Sequence, residues 1–114
     1  MTSPDLNSYH PDLIIEQAKN GWRIVRLNRP KSLHALDESI VSALLKVFEH
    51  FHEDDSVKAI WFDSTTPKAF CAGGDVRKLR QLVINNEVDT ANKFVEQEYA
   101  LDLLLHNYAK PIVV

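Results

Sequence analysis

The sequence predicts an α/β fold. Three observations carry that prediction. Apolar runs with strand character, residues 13–27 and 57–62, are separated by stretches whose apolar residues recur at three- and four-residue steps. A small-residue junction, Cys71-Ala72-Gly73-Gly74, joins one such run to a charged, helix-like stretch. Finally, Lys110-Pro111 opens a new apolar run, Ile112-Val113-Val114. Strands alternating with helices imply right-handed crossover connections.

Residues 1–11 are polar, contain Pro4 and Pro11, and read as a flexible leader. The ordered unit is expected over 12–114. Asn20-Gly21 between two apolar runs is a hairpin signal. The second strand, residues 22–27, should stop at Asn28-Arg29-Pro30, because proline cannot continue a ladder. A helix is expected over 37–52, with Ile40, Leu44, Val47, Phe48 and Phe51 on one face and Asp37 as N-cap. The run 57–62 is apolar on both faces and reads as a buried central strand. Trp22 and Trp61 are expected in the core.

A further helix is expected over 75–84, opened by Asp75 and turning Val76, Leu79, Leu82 and Val83 inward. A longer one follows over about 90–106. Glu98, between Phe94, Val95, Leu101 and Leu105, should edge its apolar face. The run after Pro111 has only begun at Val114, so the chain reads as the N-terminal part of a larger domain.

Composition narrows the function classes. With 114 residues, one domain or part of one is expected. The net charge of −3 provides no general basic field for nucleic acid. No stretch approaches ~18 continuous apolar residues, so no membrane span is expected. The single cysteine, Cys71, allows no disulfide framework. The polar N-terminus lacks a secretory signal. A cytoplasmic protein is expected, or a mitochondrial-matrix one in a eukaryote.

His50, His52, Glu53, Asp54 and Asp55 look like metal ligands in sequence. Helix positions i and i+2 point to different faces, so a solvated helix end is expected there instead. Cys71 is expected as a small wall residue rather than a nucleophile.

The chemistry concentrates at the glycine pair, which uses two of the three glycines in the chain. A strand, a small-residue loop and a helix start aim unpaired backbone N–H groups at an anion. Glycine lets a ligand approach the backbone closely. Neither the dinucleotide nor the NTP-binding glycine pattern is present. Three uses stay open on these grounds: a plain tight turn, an oxyanion hole, or a phosphate cradle.

The motif Ala69-Phe70-Cys71-Ala72-Gly73-Gly74-Asp75-Val76-Arg77, with Leu27-Asn28-Arg29-Pro30-Lys31-Ser32-Leu33-His34-Ala35-Leu36-Asp37 upstream, resembles the crotonase (enoyl-CoA hydratase/isomerase) superfamily. The resemblance covers residues 13–114. Gln97-Glu98-Tyr99 and Lys110-Pro111 resemble its 3-hydroxyisobutyryl-CoA hydrolase branch. The fold so implied is the N-terminal part of a crotonase-type ββα spiral, truncated, acting as an acyl-CoA-binding domain.

The resemblance also implies roles. Gly74 would give one oxyanion-hole N–H to the thioester carbonyl. Ala72, Gly73, Gly74, Asp75, Val76 and Arg77 would border the adenine and pantetheine of CoA. His34 and Ala35, in the 29–36 segment, would face them. Arg29 and Lys31 are candidates for phosphate contacts. Glu98 would meet the acyl group. His34 departs from the family's usual Asn, and Gln97 from its usual Glu.

The family's second oxyanion donor and its catalytic carboxylates would lie beyond Val114, so these 114 residues alone are expected to be inactive. The activity implied is hydrolysis of 3-hydroxyisobutyryl-CoA, a step of valine catabolism. Enoyl-CoA hydration or isomerisation is the alternative, as is a non-catalytic acyl-CoA-binding remnant. No metal or tightly bound cofactor is implied; CoA arrives with the substrate. The full-length protein could be an oligomer.

Overall fold

A computed structural model describes residues 9–66, 71 and 75–113. The first two strands, β1 (Leu13–Gln17) and β2 (Trp22–Leu27), form an antiparallel hairpin. Its register runs from Leu13 opposite Leu27 to Gln17 opposite Arg23. Asn20 and Gly21 both take positive φ, 61° and 81°, as the sequence signal requires. Gly21 has a second reason to lack a side chain. A Cβ there would lie 2.6 Å from Lys58 Cγ and 2.7 Å from the Ser56 carbonyl oxygen.

Helix α1 (Glu38–Glu53) follows, and the Asp37 carboxylate caps it by accepting from the Ile40 N–H at 3.0 Å. The crossover then delivers β3 (Ala59–Ser64) parallel to β2, with Trp22 opposite Ala59 and Leu27 opposite Ser64. Helices α2 (Val76–Ile84) and α3 (Val88–His106) precede β4 (Ile112–Val113), which pairs parallel to β3. The strands lie in the order β1-β2-β3-β4. The α/β expectation, with β3 in the interior of the sheet, therefore holds.

The core lies between one sheet face and α1, with α3 packed against α1. Val25 and Ile60 from the sheet and Val41, Leu44, Val47 and Phe48 from α1 are fully buried. Phe94 and Leu101 of α3 complete it. Each such side chain contributes roughly 1.5–3 kcal/mol by leaving water.

Two expectations need correction. Neither tryptophan is core: on the outer sheet face Trp22 is half-buried and Trp61 is 42% exposed. The strand of Trp61 is apolar on both sides, so the sequence could not say which side would be covered. There Trp61 Nε1 donates to Asp63 Oδ2 at 2.8 Å, and Arg26 Nε donates to Asp63 Oδ1 at 3.0 Å. Val83 is exposed as well, because Leu82 takes the inward position on α2. The boundaries also shift by a residue or two: β3 opens at Ala59 and α3 at Val88.

The C-terminal end of α1 is closed from a distance. Tyr108 Oη donates to the Phe48 carbonyl at 2.5 Å. Lys110 Nζ donates to the carbonyls of Phe51 and Asp54. The Phe51 carbonyl lies in the last turn, where helix carbonyls lack partners inside the helix, and that of Asp54 also accepts from the Val57 N–H. Among the described residues, no helix is long and apolar enough to cross a membrane.

Candidate functional site

The loop leaving β2 is built around His34. Proline at position 30 ends the strand and starts a single 3-10 turn, Pro30–Ser32. Leu33 and His34 then both adopt left-handed backbone, φ 53° and 57°. Non-glycine residues occupy that region at a cost of about 1–2 kcal/mol each, so other contacts must hold the loop.

The imidazole of His34 supplies two of them. It is 1% exposed. Its Nδ1 accepts from the Arg29 N–H at 3.0 Å, and its Nε2 bonds to Thr66 Oγ1 at 2.9 Å. A backbone N–H can only donate, so Nδ1 is unprotonated and the ring proton sits on Nε2. In return the His34 N–H donates to the Arg29 carbonyl at 2.8 Å.

The loop thus formed meets the strand-to-helix junction. Cys71 Sγ donates to the His34 carbonyl at 3.2 Å, and the Asp75 N–H donates to the Leu36 carbonyl at 2.7 Å. Both described residues flanking 72–74 are therefore bonded to the 34–36 segment. Asp75 caps α2, its carboxylate accepting from the Lys78 N–H at 3.1 Å. Ala72, Gly73 and Gly74 lie outside the described residues. The roles that the resemblance gives them thus remain expectations.

Arg29 is the electrostatic centre. Its guanidinium lies 3.6 Å from Asp12, 3.5 Å from Asp37 and 3.8 Å from Asp75, and it donates to the Ala35 carbonyl at 2.7 Å. One cation faces three carboxylates, two of which cap helices. That surrounding excess of negative charge disfavours a phosphate there, and Arg29 works inside the fold instead. Lys31 is exposed, at the rim of an open depression of about 410 Å³ lined also by Asp12, Asn28 and Ser32. Sequence reading missed this hub. Its only trace was that both expected N-caps, Asp37 and Asp75, are carboxylates.

Burial pushes the Asp37 carboxyl up, but the Ile40 N–H, the Ser39 hydroxyl and the Arg29 charge outweigh it and hold the group below its usual range. Val76 opens α2, and Arg77 is exposed on its first turn beside Lys78, with Arg80 a turn on. Glu98 lies half-buried on α3. Burial, and then the charge of Asp102, raise its carboxyl above the usual range.

At the helix end expected to be solvated, His50 and His52 are both exposed and take different partners. His50 bonds through Nδ1 to Tyr9 Oη at 2.6 Å, while the His52 ring rests on Tyr108 at 5.0 Å. Residues 9–12 are anchored nearby, with His10 Nε2 bonded to Ser39 Oγ at 2.8 Å.

Comparison with known proteins fits this geometry. A family model described as enoyl-CoA hydratase/isomerase matches residues 22–114. A probable 3-hydroxyisobutyryl-CoA hydrolase of Arabidopsis thaliana is 36% identical over 100 residues, 88% of this chain and 26% of the relative. The mitochondrial 3-hydroxyisobutyryl-CoA hydrolase of Gallus gallus is 34% identical, again over 88% of this chain and 26% of the relative. The chain spans about a quarter of the length of these relatives. Among solved structures, an enoyl-CoA hydratase from Rhodobacter sphaeroides superposes with a TM-score of 0.81 at 27% identity, covering 89% of this chain and 30% of that one.

Proposed function

As this chain belongs to the enoyl-CoA hydratase/isomerase family, we propose that it forms part of a CoA site in an acyl-CoA thioester hydrolase. The preferred substrate is 3-hydroxyisobutyryl-CoA. The observation that carries the reading is the identity of about 35% to hydrolases of that substrate over most of the chain. The junction of the 34–36 segment with Cys71 and Asp75 supports it, because it brings the two CoA-side motifs together.

In this reading the N–H of Gly74 holds the thioester oxygen as negative charge develops on it. Such a donor is worth about 3 kcal/mol. Ala72, Gly73, Asp75, Val76 and Arg77 border the nucleotide and pantetheine, with Ala35 opposite. Glu98, its carboxyl raised, meets the acyl end. Water then adds to the carbonyl carbon and the CoA thiol leaves, a step the resemblance assigns to carboxylates beyond Val114. The protein is proposed to be mitochondrial in a eukaryotic source, as the name of the chicken relative says of that protein, and cytoplasmic otherwise.

Enoyl-CoA hydration is the second reading, favoured by the R. sphaeroides structure. The test begins by sequencing the reading frame through and past the codon for Val114. The encoded protein is then assayed with 3-hydroxyisobutyryl-CoA and with crotonyl-CoA. Thiol release from the first substrate is expected. Hydration of the second without thiol release favours the hydratase. Neither activity, with CoA still bound, leaves a binding role.

A further inference from the structure

We infer that His34 is a positioning residue: its imidazole holds the 34–36 segment to which Cys71 and Asp75 are bonded. The inference about the loop stands on the contacts of His34; only its consequence for CoA rests on the function proposed above. The turn with left-handed backbone at Leu33 and His34 is tied by its own backbone, the Ser32 and His34 N–H groups donating to the Arg29 carbonyl and the Leu33 N–H to that of Pro30, but the strain at two non-glycine residues needs further support. The buried ring closes it from two sides, accepting from Arg29 N–H and donating to Thr66 Oγ1. Thr66 stands where the chain leaves β3 on its way to Cys71. The ring therefore ties both sides of the junction together.

With the turn closed, the carbonyls of His34 and Leu36 point at Cys71 Sγ and the Asp75 N–H. Arg29 adds a second tie through its ion pair with Asp75. An Asn side chain could satisfy one of the two ring contacts at a time, because it is shorter. A histidine spans both.

The left-handed φ of 57° at position 34 gives a clean test. Glycine is at ease there, so His34→Gly removes the ring while relieving the backbone. A purely conformational role predicts a neutral or stabilising change. Positioning by the ring predicts a folded variant in which the Asp75 amide exchanges about tenfold faster relative to the Val25 amide in the sheet. Coenzyme A affinity, measured by calorimetry, should fall about tenfold. Added imidazole should restore part of both, since it can refill the cavity.

Thr66→Val keeps the shape, removes the Nε2 partner, and should move both readouts the same way but less; it decides the matter if His34→Gly does not fold. Unchanged Asp75 exchange in the folded variants would overturn the inference. If the wild-type chain binds no coenzyme A, the functional reading fails, and Asp75 exchange alone still decides the role of His34.

Discussion

At the scale of single residues, Arg29 carries the largest consequence. Removing it leaves three carboxylates without their cation and the Ala35 carbonyl without its donor. Arg29→Ala should lower stability by about 2 kcal/mol at pH 7. Folding holds the Asp37 carboxyl below its unfolded value. The stability linked to it is present above the unfolded value and lost as pH falls through the folded one. The gap between wild type and variant, read from urea melts, should therefore narrow on acidification. Glu98 has the opposite sign. Its folded carboxyl is raised, so its contribution is full below the unfolded value and lost as pH rises through the folded one. Glu98→Gln should melt higher than wild type at pH 7 and lose that advantage near pH 4.

At the scale of elements, the clearest device is the capping of α1 by residues remote in sequence. Lys110→Met should cost about 1 kcal/mol, because the Phe51 carbonyl loses its side-chain donor while that of Asp54 keeps the Val57 N–H. Amide exchange in the last turn of α1 should rise ahead of that in its first turn, where Asp37 still caps. This device also marks what the sequence could and could not reveal. The hairpin and α1 were legible because Asn20-Gly21 and Asp37 act on their own neighbours. The side taken by Trp61 was not, since no alternation along 57–62 distinguishes the two faces. The bond between His34 and Thr66 spans 32 residues, and no local pattern records it. A resemblance could set the 34–36 segment opposite Asp75; only the fold showed that Cys71 meets the His34 carbonyl and Asp75 that of Leu36.

At the scale of the whole molecule, the surface is uneven. Val88, Val95, Tyr99 and Leu103 recur on one side of α3, all about half exposed or more. A contiguous apolar stripe of this kind favours association in water. The 114-residue chain is expected to self-associate at micromolar concentration in sedimentation experiments. The pair Tyr99→Lys and Leu103→Lys should shift it toward monomer without loss of helical circular dichroism. Monomeric wild-type chain under the same conditions would refute this.

The parallel pairing of the sheet bears on the order in which the chain acquires structure. The β1–β2 hairpin needs only its own residues and can form as soon as it leaves the ribosome. The β2–β3 pair must wait until α1 has been made and folded across. Ile60 and Trp61 wait longest, for Ile112 and Val113, which arrive only after both α2 and α3. During that interval one side of β3 is an unpaired edge, open to pairing with other chains. Slow synthesis between codons 64 and 110 would lengthen the exposure, whereas a chaperone acting there would shorten its consequences.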